Sequence, residues 1–153
     1  MPTDTLRQQV WDFVYAYDAA YDRAAQAVGL TAAQACLLGQ LTEGSSAMGD
    51  LAAELLCDPS NVTQLVARLE ARGLVTRLPD PADRRVKRVS ITPAGRGEHR
   101  AVRRAFDFPD DRLGHLTGEE QEQLSALLAK VLGPDPGTAG GDASTGPDRE
   151  GPS

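Results

Sequence analysis

The sequence predicts a mainly α-helical chain with one small β-hairpin, an α+β fold. Three observations carry that prediction. Apolar residues recur every three or four positions through most of the chain, the spacing of one helix face. β-branched residues gather in two short runs, 74–78 and 86–91, on either side of the turn-forming "PDPADRR". Charge is also partitioned: against a formal total of −6, residues 1–57 carry −5, residues 58–104 carry +6 and residues 105–153 carry −7.

Taken in order, residues 4–27 form a first helix. Leu6, Val10, Phe13, Val14, Tyr17, Tyr21 and Ala24 share its apolar face, and Gly29 ends it. Thr31, three positions before Gln34, makes a capping box that opens a second helix, "AAQACLLGQL". Gly44-Ser45-Ser46 breaks that helix, and either serine can cap a short third one, "MGDLAAELL". Asp58-Pro59 starts the fourth, which runs to Arg72 and stops at Gly73. The hairpin follows. Thr92-Pro93 then opens a fifth helix whose first turn is softened by Gly95 and Gly97. A loop, "DFPDDRLGHL", leads to a second capping box, Thr117 with Glu120. The last helix carries Leu124, Leu127, Leu128 and Val131 as its stripe. Residues 133–153 have almost nothing to bury and are expected to be a disordered tail.

The totals bound the class. A chain of 153 residues is long enough to bury a core without metal or disulfide staples. No apolar run approaches the roughly 20 residues that span a membrane, and "MPTDTLRQQV" has no signal-peptide core, so a soluble cytoplasmic protein is expected. Cys36 and Cys57 form neither a CxxC nor a zinc pattern and read as small buried hydrophobes. Two histidines and scattered acids offer no nucleophile–base pair or metal set; neither catalysis nor a cofactor is expected.

The basic middle is where function concentrates. Short helices, a tight turn, another helix and a hairpin suggest a helix-turn-helix with a wing. In helix 58–72, Val62, Leu65, Val66 and Leu69 fall at i, i+3, i+4 and i+7 and turn inward. That leaves Ser60, Asn61, Thr63, Gln64, Ala67 and Arg68 outward, a set suited to phosphates and base edges in a major groove. In the hairpin, Arg84, Arg85, Lys87 and Arg88 crowd one loop. An Arg-tipped loop can enter a narrow minor groove. Asp83 is placed to pair with Arg85 and brace the loop, so one of Arg84 and Arg85 is expected to reach DNA while the other is held internally.

The stretch "LAAELLCDPSNVTQLVARLEARGLVTRLPDPADRRVKRVSITPAG" resembles the DNA-binding core of the MarR family of bacterial transcriptional regulators. The matching pieces are the LA-x-x-L helix, "DPSNVT", "RLEARGLV" and the "DPADRR…ITPAG" wing, with one departure at Leu56, where members often carry a turn glycine. The resemblance spans about residues 5–132. It implies a homodimeric winged helix-turn-helix protein, a repressor on a pseudo-palindromic double-stranded DNA operator. Residues 1–30 and 100–132 would form the helical dimerisation region and 31–99 the DNA-binding region. Ser60, Asn61, Thr63, Gln64 and Arg68 match its recognition-helix contacts and Arg84 and Arg85 its wing tip, with Arg77, Lys87 and Arg88 as phosphate partners.

The resemblance also implies release by a small aromatic or phenolic effector. Trp11, Tyr15, Tyr17, Tyr21 and Cys36 are the candidates to contact it; His99, among Arg96, Arg100 and Arg103, reads as a solvated face residue. Two alternatives stay open: a thiol-based redox sensor of the same fold using Cys57 or Cys36, and a winged-helix module that binds protein rather than DNA.

Overall fold

The computed structural model describes residues 1–55 and 58–134; Leu56, Cys57 and the expected tail from residue 135 lie outside the described residues. The elements are α1 (Asp4–Ala27), α2 (Ala32–Gln40), β1 (Ser46–Ala47), α3 (Met48–Glu54), α4 (Pro59–Ala71), β2 (Val75–Pro79), β3 (Lys87–Ile91), α5 (Pro93–Ala105), α6 (Phe108–Leu113) and α7 (Gly118–Leu132). They fall into two compact units, one ending at Asp111 and one beginning at Arg112.

Local chemistry sets the helix ends. Thr31 and Thr117 both complete the expected capping boxes, their hydroxyls accepting from Gln34 N and Glu120 N. Gly29 and Gly73 follow α1 and α4 at φ of 80° and 72°, a left-handed turn that a Cβ would strain. Thr92 works twice: its Oγ1 accepts from Gly95 N at 3.0 Å and donates to the Gly73 carbonyl at 2.7 Å, fastening the start of α5 to the end of α4.

Three local expectations are corrected. The N-cap of α3 is Ala47, without a side-chain bond, because Ser45 and Ser46 are drawn elsewhere. Ser46 and Ala47 form β1, which pairs with Val89 and Arg88 on the free edge of β3, making a three-stranded antiparallel sheet of order β1-β3-β2. Residues 108–113, expected as loop, form α6, anchored by buried Phe108.

The core of the first unit gathers Leu37, Leu38 and Leu41 with Leu51, Val62, Val66, Leu69, Val75, Val89 and Val102, all fully buried. At about 1.5–3 kcal/mol per large apolar side chain, Val62, Val66 and Leu69 hold α4 in place. A 13-residue helix would be marginal alone. In the second unit α7 buries no residue; Leu127, Leu128, Val131 and Leu132 are all exposed.

Candidate nucleic-acid interface

Docking Val62, Val66 and Leu69 inward forces the rest of α4 outward. Ser60, Asn61, Thr63, Gln64, Ala67 and Arg68 are all exposed, as the spacing predicts, whereas Leu65, expected to turn inward, sits half-buried at the edge of the stripe. The Thr63 hydroxyl donates back to the Pro59 carbonyl at 2.9 Å. Asp58 occupies the N-cap position, but its carboxylate makes no cap hydrogen bond.

The loop between β2 and β3 is closed by its own backbone. Asp80 N donates to Val86 O at 2.8 Å and Val86 N to Asp83 O at 3.0 Å. Two carboxylates fold the turn further: Asp80 accepts from Ala82 N at 2.8 Å and Asp83 from Arg85 N at 3.1 Å. Asp83 therefore braces the loop as expected, but through the Arg85 amide rather than its guanidinium. Arg84 and Arg85 both stand exposed at the tip, and among the described residues neither guanidinium has a hydrogen bond or ion pair. The internally held arginine is Arg88, which is tied to Ser45 and Asp80.

Arg77, expected as a phosphate partner, is also engaged. Its Nη2 lies 3.0 Å from Glu70 Oε1, and its Nε and amide both reach Oε2. Arg72 and Arg96 spend their guanidiniums on the Gly29 and Thr42 carbonyls, each at 2.8 Å. Lys87 remains exposed beside the Glu70–Arg77 pair. The cationic middle thus divides into arginines that hold the fold together and cations that face solvent at α4 and the loop tip. Partners 43 and 54 positions away left no trace in local spacing.

The effector candidates separate as well. A cavity of about 390 Å³ is lined by Tyr17, Tyr21, His99, Val102, Arg103 and Phe106, among others. Tyr17 and Tyr21 meet the Phe106 ring edge-on, centroids 5.0 and 5.2 Å away. Burial pushes the Tyr21 hydroxyl pKa well up, and the hydrogen-bonded Cys36 side chain adds to the shift. Cys36 itself is exposed, not the buried hydrophobe expected. Trp11 and Tyr15 stack on each other at 5.8 Å, exposed and outside the cavity lining. His99 is half-buried and lines the cavity; its pKa is lowered by burial and then by Arg103, so it is no solvated face residue.

The MarR family model matches residues 28–86, from just after α1 to the last residue of the β2–β3 loop. The chain is 34% identical over 133 residues to the transcriptional activatory protein BadR of Rhodopseudomonas palustris, covering 80% of this chain and 76% of BadR. The chain belongs to the MarR family. Wild-type MarR from E. coli in its apo form matches with a TM-score of 0.73 at 26% identity, covering 87% of this chain and 98% of that one. A mutant MarR from E. coli complexed with operator DNA matches with a TM-score of 0.67 at 25% identity, covering 85% and 95%. The fold is therefore the winged helix-turn-helix of this family, with β2 and β3 as the wing. These relatives are transcriptional regulators rather than enzymes. Among the described residues no helix is long and apolar enough to cross a membrane.

Proposed function

We propose that the chain regulates transcription as a homodimer on a pseudo-palindromic double-stranded operator. Each protomer lays α4 in a major groove and its wing in the flanking minor groove. One observation carries this reading: α4 turns a continuous polar face to solvent while Arg84 and Arg85 stand unpartnered, among the described residues, at the wing tip. In this arrangement Asn61, Gln64 and Arg68 read base edges. Ser60 takes a phosphate near the helix start, and Thr63 does so once its hydroxyl turns off the Pro59 carbonyl; Arg84 and Arg85 enter the minor groove, and Lys87 adds a backbone contact.

Dimerisation gives a purpose to apolar surface that the single chain leaves open. Leu6, Val10, Phe13 and Val14 of α1 are exposed, as are Leu127, Leu128, Val131 and Leu132 of α7. Faces of this size on a soluble chain mark an association surface, and a second copy would cover them. Two-fold symmetry then sets half-sites about one helical turn apart, roughly 34–36 Å.

The bound dimer represses by occupying the promoter, and a small aromatic or phenolic compound in the Tyr17–Tyr21–Phe106 cavity releases it. BadR is a transcriptional activatory protein, which favours a second reading in which the bound dimer activates. Footprinting on the intergenic DNA flanking the gene, repeated with aromatic compounds and with peroxide, tests the binding, the effector and the redox alternative at Cys57 or Cys36. A promoter reporter in a deletion strain gives the sign: expression rises for a repressor and falls for an activator. Absence of protection on any duplex at low salt leaves the protein-binding module as the surviving reading.

A further inference from the structure

Arg88 lies on β3 opposite Ala47 of β1 and Leu78 of β2. Its guanidinium reaches past both neighbours. Nε donates to Ser45 Oγ at 3.1 Å, Nη2 to the Ser45 carbonyl at 2.9 Å and Nη1 to Asp80 Oδ2 at 3.2 Å. Ser45 leads into β1 and α3, the first helix of the helix-turn-helix, while Asp80 opens the wing loop and folds it through Ala82 N. One planar group therefore joins the entry of the helix-turn-helix to the root of the wing.

We propose that Arg88 is a positioning residue for DNA binding. It locks the wing to the segment entering α3, so that the wing tip and α4 are presented as one rigid surface. This rests on the reading of the β2–β3 loop as a groove-entering wing. A two-stranded hairpin is marginal by itself, and β1 adds only two residue pairs to β3. Side-chain fastening therefore decides how firmly the loop is aimed. Three oxygens at two sites require a forked donor; a lysine ammonium could keep the charge but could not span Ser45 and Asp80 together. Ordering the wing beforehand removes the cost of ordering it on the duplex.

The test uses Arg88→Ala, Arg88→Lys and Asp80→Asn in the full chain. In the DNA-free protein, amide hydrogen exchange at Asp80 and Val86 should quicken about tenfold or more in all three. The Leu37 and Leu38 amides should be unchanged, reporting an intact fold. On a duplex selected by the wild-type protein from a random pool, both Arg88 variants should lose minor-groove protection at the site flanks. Guanine N7 protection in the half-site centre should remain, a split that general destabilisation would not produce. Unchanged exchange at Asp80 and Val86 in Arg88→Ala overturns the proposal. So does wild-type affinity and flank protection in Arg88→Lys, which would make Arg88 a plain phosphate contact. A wild-type protein that selects no duplex overturns the regulator reading and the DNA-binding role of Arg88 with it, while the exchange result is read separately.

Discussion

Glu70, in the last turn of α4, grips Arg77 on β2 through both carboxylate oxygens, one of which also accepts the Arg77 amide at 3.1 Å. Helix α4 and the wing strand β2 are therefore clasped directly, on the opposite strand from the Arg88 bridge.

That clasp holds the Glu70 carboxyl below the usual glutamate range, the Arg77 hydrogen bond being the largest cause. Arg77→Ala should return its NMR titration midpoint toward the ordinary value. A carboxyl with a depressed folded pKa contributes stability above its unfolded pKa and loses it as pH falls through the folded one. Wild type and variant should accordingly separate at neutral pH and converge in acid. The gap should be small, because both side chains are more than a third exposed.

Gly95 makes a sharper prediction about packing. A methyl there would overlap the Leu74 carbonyl oxygen and approach Ile91 Cγ1 within 2.8 Å, and backbone cannot move aside cheaply. Gly95→Ala should cost about 3 kcal/mol, the upper end for overpacking. At Gly97 the nearest atom is the flexible Arg100 Nη2, 4.0 Å away. Gly97→Ala should therefore stabilise the helix by about 0.5–1 kcal/mol. Denaturant melts of the two variants should move in opposite directions.

This pair shows where sequence reading succeeds and where it stops. Gly95 and Gly97 look alike as helix softeners, yet only Gly95 meets a carbonyl from a residue 21 positions earlier. Signals confined to a turn or two were legible: the Thr31 and Thr117 capping boxes, the Gly29 and Gly73 stops, and the Val62–Leu69 stripe that turns α4's polar face outward. β1 was not, since two residues carry no period and the strand exists because β3 has an edge to offer. Nor was α6, six residues long with a single buried anchor in Phe108. The arginines were legible as a cluster but not as individuals, because Ser45 and Glu70 become partners only after the chain folds back.

His99 should titrate below the ordinary histidine value, about 6.5, because burial and then Arg103 oppose its cation. A methyl group at Gly39 would come within 3.4 Å of its Nε2. Unfolding takes up a proton between the two pKa values, so this group's contribution to stability is greatest above the unfolded pKa. It falls as pH drops through that value toward the folded pKa. Arg103→Ala should raise the His99 midpoint only in part, since burial is the larger cause; imidazole NMR measures it.

Leu128→Glu and Val131→Glu test the association surface. Both side chains are exposed and α7 buries nothing in the single chain, so the charges should spare the fold of the first unit. Sedimentation should show wild type at twice the chain mass and the double variant at one. A wild type that sediments as one chain would remove the two-fold operator geometry.

The central claim is that α4 and the wing tip together hold a duplex. Its most direct test is operator affinity against salt concentration for wild type and for the Arg84→Ala, Arg85→Ala double variant. With six to ten phosphates neutralised per dimer, wild-type affinity should fall about 10³–10⁵-fold between 50 and 200 mM salt. The double variant should keep its circular dichroism and melting temperature, bind much more weakly, and show a shallower slope. Equal affinity and equal slope in the two proteins would contradict the account.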